Sequence, residues 1–139
     1  MVGQACSHQK WGDWTNQVFS QWVLKYYDWE TAGYNQSYKA KKNIVTATIP
    51  LGYADGIKIK ISNIGHVFYK NIKLPMIGRI SMDLMIVDVS KVKNKIKIGD
   101  YLEVFGKNLN LDGFAKVSYT SPYDIITSIS ERCERVYIN

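Results

Sequence analysis

The chain has 139 residues, 46% of them hydrophobic, which is enough apolar material for one domain with a buried core and argues against disorder. The two cysteines, Cys6 and Cys133, are too few for a disulfide framework and too isolated for a zinc site, so we expect reduced thiols and a cytoplasmic protein. No run of eighteen apolar residues and no basic start followed by an apolar block occurs, so neither a membrane span nor a secretory signal is expected.

The net charge of +6 is carried largely by lysines, and such charge can mark a nucleic-acid-binding surface. In segments 57–61 and 91–98, however, lysine alternates with apolar residues, a pattern typical of half-buried strands. The sequence also lacks the interleaved aromatic and basic residues of folds that stack single strands. We therefore interpret the lysines as solvated strand faces and expect no nucleic-acid partner.

Near the N-terminus, aromatic and aliphatic residues recur three or four positions apart, which predicts an amphipathic helix over about residues 10–28. Asp13 is suited to cap its start. We expect its aromatic face to cover apolar surface, and we treat residues 1–31 as a segment distinct from the rest. The apolar positions are Trp11, Trp14, Val18, Phe19, Trp22, Val23 and Tyr26.

From residue 33 the pattern changes to short strand-like runs separated by turn residues such as Ala54-Asp55-Gly56. This spacing predicts a mainly β fold for residues 32–139, a small antiparallel domain or partly open barrel. Strands are predicted at roughly 36–40, 43–50, 57–61, 65–70, 73–77, 80–90, 99–105 and 113–118.

One short helix is predicted near the C-terminal end, at about residues 121–130. Ser121 or Thr120 would cap it, and Pro122 suits its first turn. A last strand over 135–138 would complete the domain.

No self-contained catalytic motif is present in the sequence. It lacks a cluster with metal-ligand spacing, a nucleophile elbow, a phosphate loop and a dinucleotide fingerprint. Three polar-aromatic clusters remain, at 33–38, 52–56 and 78–83. Tyrosine acts as a base near neutral pH only when its pKa, ordinarily about 10, is lowered, so each tyrosine alone is more simply a packed ring.

Four segments taken together resemble the C-terminal β domain of alanine racemase. They are GYNQSYKAKKNIVTATIPLGYADG, LPMIGRISMDLMIVDVS, IGDYLEVFG and SPYDIITSISERCERVYI, in that order. The resemblance covers about residues 32–139. The N-terminal half of the family is a (β/α)₈ barrel with the lysine that holds pyridoxal 5'-phosphate, and nothing in this sequence resembles it.

The resemblance implies an isomerase that interconverts L- and D-alanine and supplies D-alanine for the cell wall. Pyridoxal phosphate stabilises the carbanion left when the α-proton departs, and racemisation needs one base on each face of it. In the family the lysine serves one face, and a tyrosine from the partner subunit's C-terminal domain serves the other. The matching residue here is Tyr34, nineteen positions before Tyr53.

Other site residues are implied in the same way. Met82 matches a methionine whose backbone amide holds the substrate carboxylate, and Asp83 is expected to orient that turn. Tyr123 matches a tyrosine that hydrogen-bonds the cofactor phosphate. Tyr53 and Arg79 match residues that line the narrow passage to the site.

The sequence departs from the family pattern at three positions next to these residues in the motifs. Where the family often has an arginine shortly after G-Y-A-D-G, this chain has Ile59, so the polar lining would differ or come from Lys58 or Lys60. Asn35 and Ser37 replace glycine and threonine, which are mild changes.

The expected partners are a small amino-acid substrate and either a second copy or a chain that bears the barrel. Without the lysine, the chain alone is predicted to be inactive. The alternative is a non-catalytic interaction module, truncated or complementing a separately encoded barrel.

Overall fold

Most of the strands that the structure describes belong to one antiparallel sheet. The computed structural model describes residues 8–10, 15–17, 23–26, 31–32 and 34–136. The strands are β1 (His8–Lys10), β2 (Thr15–Gln17), β3 (Val23–Tyr26), β4 (Thr31–Ala32), β5 (Tyr38–Lys39), β6 (Ile44–Ile49), β7 (His66–Tyr69), β8 (Ile72–Ile77), β9 (Met85–Asp88), β10 (Tyr101–Glu103) and β11 (Glu134–Val136). Seven of them form the antiparallel sheet, in the order β2-β10-β7-β8-β9-β6-β3, and smaller pairs are formed by β1 with β11 and by β4 with β5.

The core lies against one face of this sheet, because apolar residues alternate along its central strands. Val67 pairs with Leu74, and Met76 pairs with Val87. All four side chains are at most 1% exposed. The strands predicted in these regions, and the mainly β fold class, are confirmed.

Two short helices, α1 (Leu111–Val117) and α2 (Pro122–Ser128), follow the last strand of the core. The Ser121 hydroxyl accepts a hydrogen bond from the Asp124 amide at 3.2 Å and caps α2, so the predicted C-terminal helix is confirmed. Neither helix of the described ranges is long and apolar enough to cross a membrane.

The strand predicted at 113–118 is wrong, since this segment is helix α1. The Asn110 side chain accepts a hydrogen bond from the Gly113 amide at 2.8 Å, which fixes the first helical turn. Phe114 then stacks on Phe105 with ring centroids 5.0 Å apart. The cap and this buried contact favour a helix over the strand that the alternation suggested.

The two lysine-rich segments are also not strands. Residues 57–61 contain the 3₁₀ turn Ile59–Ile61, and residues 91–98 begin inside the 3₁₀ turn Ser90–Val92. In each turn one buried residue, Ile61 or Val92, anchors a local backbone hydrogen-bond pattern. A 3₁₀ turn that buries one apolar residue can therefore show the same alternation of lysine and apolar residues as a strand, although it pairs with no strand.

The amphipathic helix predicted over residues 10–28 is wrong where the structure describes this segment. Thr15–Gln17 and Val23–Tyr26 are strands that pair with β10 and β6. Edge strands offer unpaired backbone groups, and aromatic and β-branched residues suit strands, so sheet pairing outweighs the helical spacing. The remaining positions of the predicted helix lie outside the described residues, as does Cys6, and a boundary near residue 31 stays a prediction.

Candidate functional site

The turn Gly52–Gly56 lies directly on the loop that precedes β9. The Tyr53 amide donates to the Ser81 carbonyl and the Ala54 amide donates to the Met82 carbonyl, each at 3.0 Å. A Cβ atom on Gly52 would lie 2.3 Å from the Met82 carbonyl oxygen. Glycine is therefore required at position 52 by this close backbone approach.

The same turn is closed from within by Asp55, whose side chain is 8% exposed. Its Oδ2 accepts a hydrogen bond from the Gly52 amide at 2.8 Å. Burial raises the pKa of Asp55 above its ordinary value, against the opposing effects of the Gly52 amide and the nearby Arg132 guanidinium. Asp55 thus shapes the turn, as expected from the sequence.

The loop that carries Gly78 and Arg79 is held by two side chains, one from the segment 34–37 and one from Asn63. The Ser37 hydroxyl accepts from the Arg79 amide at 2.6 Å, and the Asn63 side-chain oxygen accepts from the Gly78 amide at 2.6 Å. Tyr34 begins the 3₁₀ turn here, and its side chain lies outside the described part of the structure. Ser37, three positions after the predicted catalytic Tyr34, therefore connects this segment to the loop that carries Arg79.

Asn35 follows Tyr34 and has a φ of 55°. This left-handed backbone conformation is easiest for glycine, and asparagine tolerates it better than most residues. The change from glycine to asparagine at this position is mild for that reason.

A cleft of about 580 Å³, the first cleft, opens between these three turns. Four of the predicted site residues line it together. Tyr53 and Met82 are about half exposed there. The lining consists of Asn35, Tyr53, Ile59, Arg79, Ile80, Ser81, Met82, Asp83 and Leu84.

The backbone amides of the loop are oriented by the hydrogen bonds of the adjacent turn. Since the carbonyls of Ser81 and Met82 both point to the turn at 52–56 and no peptide bond is cis, the amide N–H groups of Met82 and Asp83 point away from it. Within the part of the chain that the structure describes, neither N–H has an acceptor. Successive N–H groups of this kind suit an anion such as a carboxylate.

Tyr123, the predicted phosphate contact, does not line this cleft. It lies in the first turn of α2 and is 81% exposed. The predicted site residues whose side chains the structure describes thus fall into a group at the first cleft and a separate tyrosine on the helix.

A second cleft of about 420 Å³ lies on the other side of Tyr53 and Ile59, which line both. Lys58 and Lys60 line only this second cleft. The Lys58 ammonium lies 2.8 Å from an Asp124 oxygen and, as the largest cause, lowers the pKa of that carboxyl. Neither lysine supplies a polar lining for the first cleft, whose wall at Ile59 is apolar.

Arg132 is a residue of this region that the sequence reasoning missed. Its guanidinium lies 2.7 Å from Asp83 and 3.6 Å from Asp55, measured between Nη2 or Nε and an Oδ1 atom. It follows α2, far along the chain from both carboxylates. The signal available in the sequence was an arginine inside the last matching segment, together with two acidic residues in the earlier segments.

The family model for the C-terminal domain of alanine racemase matches residues 22–137. The chain belongs to this family. Among curated alanine racemases, that of Rickettsia bellii is 41% identical over 106 residues, covering 76% of this chain and 26% of the relative. That of Brucella ovis is 38% identical over 109 residues, covering 78% of this chain and 28% of the relative.

Solved alanine racemases share the fold of this chain. The enzyme of Bartonella henselae with covalently bound pyridoxal phosphate has a TM-score of 0.83 and 35% identity, over 89% of this chain and 34% of that one. The biosynthetic enzyme of Pseudomonas aeruginosa has a TM-score of 0.82 and 26% identity, over 91% and 35%. The resemblance found in the sequence is confirmed, and the chain spans about a quarter to a third of the length of these relatives.

Proposed function

We propose that this chain is the C-terminal domain of a pyridoxal-phosphate-dependent alanine racemase that supplies D-alanine in the cytoplasm. It would complete an active site together with a barrel, carried by a second copy or by another chain. The observation that supports this most directly is the first cleft, where Tyr53, Arg79, Met82 and Asp83 meet beside the turn that begins at Tyr34.

The residues of this chain fit a shared cofactor site. The exposed Tyr123 hydroxyl is available to donate to the phosphate of pyridoxal phosphate. No lysine is among the described residues that line the first cleft, so the residue that holds the cofactor would come from the barrel. When bound, the cofactor makes the α-proton of alanine acidic by delocalising the negative charge.

The roles of the other residues follow from their chemistry. The paired amides of Met82 and Asp83 would hold the substrate carboxylate, with Arg79 adding positive charge in the same cleft. Tyr53 and Ile59 would narrow the passage, which favours a small amino acid. Tyr34 would exchange the α-proton of the L-enantiomer.

A first experiment tests the predicted inactivity of the isolated chain. With one base lacking, purified protein incubated with L-alanine and pyridoxal phosphate is expected to form no D-alanine above the background of the cofactor alone. Formation of D-alanine well above that background would overturn the proposal that the barrel and this chain each supply one base.

A second experiment adds the barrel half of the Rickettsia bellii racemase to this chain and measures racemisation. Activity is expected to appear, and Tyr34→Phe should lower it by about a hundredfold or more. Tyr38→Phe is the matched control, because Tyr38 lies four positions away and lines neither cleft.

Proton exchange with D₂O separates the two faces in the same mixture. Tyr34→Phe should stop exchange at the α-carbon of L-alanine while exchange of D-alanine continues. Equal loss for both enantiomers would contradict the role of Tyr34. If the barrel half restores no activity in any form, the non-catalytic module is the better description.

A further inference from the structure

Arg132 joins two of the three turns that surround the first cleft. It lies in the turn after α2, where its amide donates to the Ser130 hydroxyl at 3.0 Å. Its side chain reaches Asp83 on one turn at 2.7 Å and Asp55 on the other at 3.6 Å. One cation therefore bridges two carboxylates that belong to different turns.

The charges of this bridge restrain the positions of the two turns and contribute little to the free energy of unfolding. The negative charge of Asp83 disfavours ionisation of Asp55, which is buried. Without a cation between them, the two carboxylates would repel each other. The side chains of Arg132 and Asp83 are 52% and 43% exposed, and ion pairs this accessible contribute little to overall stability.

The atoms that this bridge holds are adjacent to the unpaired amides. Asp83 is itself the second residue of the amide pair, and Ala54, whose amide holds the Met82 carbonyl, precedes Asp55. The hydrogen bonds from the turn at 52–56 orient the peptide planes that carry the Met82 and Asp83 amides from one side. The Arg132 guanidinium restrains the same segment from another side, through the side chain of Asp83.

We propose that Arg132 is a positioning residue that fixes the Met82 and Asp83 amides for a carboxylate ligand by bridging Asp55 and Asp83. The identity of that ligand as an amino acid rests on the proposed function. The restraint on the amides does not, because it follows from contacts within this chain.

Methionine labelling gives a direct measurement of the Met82 amide. The chain has four methionines, and Met1 gives no backbone amide signal when it is the N-terminal residue. In protein labelled with ¹⁵N-methionine, Arg132→Gln should move the Met82 signal and leave those of Met76 and Met85, which are buried in strands. Arg132→Lys should restore much of the original position.

Controls separate positioning from general destabilisation. Lys93→Gln removes an exposed cation elsewhere and should move none of the three signals. If Arg132→Gln fails to fold, Asp83→Asn breaks the more exposed half of the bridge and should move the same signal. An unmoved Met82 signal, or equal shifts at all three methionines, would overturn the proposal.

Acetate distinguishes the positioning role from the proposed function. Added to the wild-type chain, it should shift the Met82 signal with saturation, and Arg132→Gln should weaken its binding several-fold. If acetate does not shift the Met82 signal of the wild type, the amides do not bind a carboxylate. The shift caused by Arg132→Gln in the absence of acetate still tests whether Arg132 positions the amides. In an active mixture with the barrel half, Arg132→Gln should raise KM for alanine about tenfold and change kcat less.

Discussion

Gly52 and Gly99 both sit in turns, but they are glycine for different reasons. Gly52 has an extended backbone, with φ of −140°, that any residue can adopt, yet a Cβ there would lie 2.3 Å from a backbone oxygen. Gly99 has a φ of 93°, and a Cβ there would meet nothing within 4 Å. The turn at 52–56 needs glycine because neighbouring backbone leaves no space for a side chain. The turn at 97–100 needs glycine because its backbone is left-handed at residue 99.

The hydrogen bonds of the two regions differ in the same way. The turn at 52–56 is bonded to residues about thirty positions later in the chain, through Ser81 and Met82. In the turn at 97–100 the backbone bond is local, since the Lys97 amide donates to Asp100 at 2.8 Å. Its long-range bond runs between side chains, from the Tyr69 hydroxyl to the same Asp100 oxygen at 2.8 Å. Long-range backbone contacts position the cleft accurately and make it sensitive to substitution.

Gly52→Ala is expected to have the largest effect on stability. The added methyl meets backbone atoms that cannot rotate away, so we expect a loss of about 3 kcal/mol in the free energy of unfolding. Urea denaturation measures it, and the signal of Met82 should shift in the same variant. A loss below about 1 kcal/mol would show that the two turns separate easily.

Asp55→Asn tests the charge within the same turn. A carboxyl with a raised pKa binds its proton more tightly in the folded state, so it stabilises the fold at low pH, and this contribution is lost as the pH rises through the folded pKa. Asparagine does not titrate. The stability of the variant relative to wild type should therefore increase from pH 3.5 to pH 7, as measured by urea denaturation at each pH, and a decrease would contradict the raised pKa.

Gly99→Ala should cost less than Gly52→Ala, because only the left-handed backbone is strained and the space is open. We expect a loss of about 1 kcal/mol, measured as a shift in the denaturation midpoint. Gly99→Asn is the matched variant and should lose less than alanine. A larger cost than that of Gly52→Ala would reverse the comparison.

Asn35→Gly should have the smallest effect, within about 0.5 kcal/mol of wild type. Relief of the left-handed strain at Asn35 is offset by the greater freedom of glycine in the unfolded chain. Thermal denaturation of the two proteins in parallel checks this. A substantial change in either direction would mean that the asparagine side chain itself contributes.

The sequence predicted the fold correctly where the local residue pattern and the long-range contacts favour the same secondary structure. At β7 and β8 alternation coincides with strand pairing, so the prediction was correct. At 111–117 the cap from Asn110 outweighs a strand-like pattern, and at Val23–Tyr26 pairing with β6 outweighs helical spacing. The pairing of Val23–Tyr26 with β6 depends on residues distant in the chain, whereas the Asn110 cap is local and the alternation over 113–118 concealed it.

For the candidate site, the family resemblance pointed to Tyr53, Arg79, Met82 and Asp83, and these four residues line one cleft, while their roles stay predictions. The resemblance did not indicate that Tyr123 lies outside this cleft, because the side of α2 that faces solvent is set by packing. The bridge from Arg132 was also missed, since an arginine and two acidic residues in separate matching segments do not by themselves show that the three side chains meet.

The wall shared by the two clefts limits how either could be enlarged. Tyr53 and Ile59 line both volumes, so trimming Tyr53 to alanine would remove part of a partition as well as part of a lining. The result would be one continuous groove from Arg79 to Asp124. Engineering a wider passage at this position would therefore also bring the Lys58–Asp124 ion pair within reach of whatever occupies the first cleft.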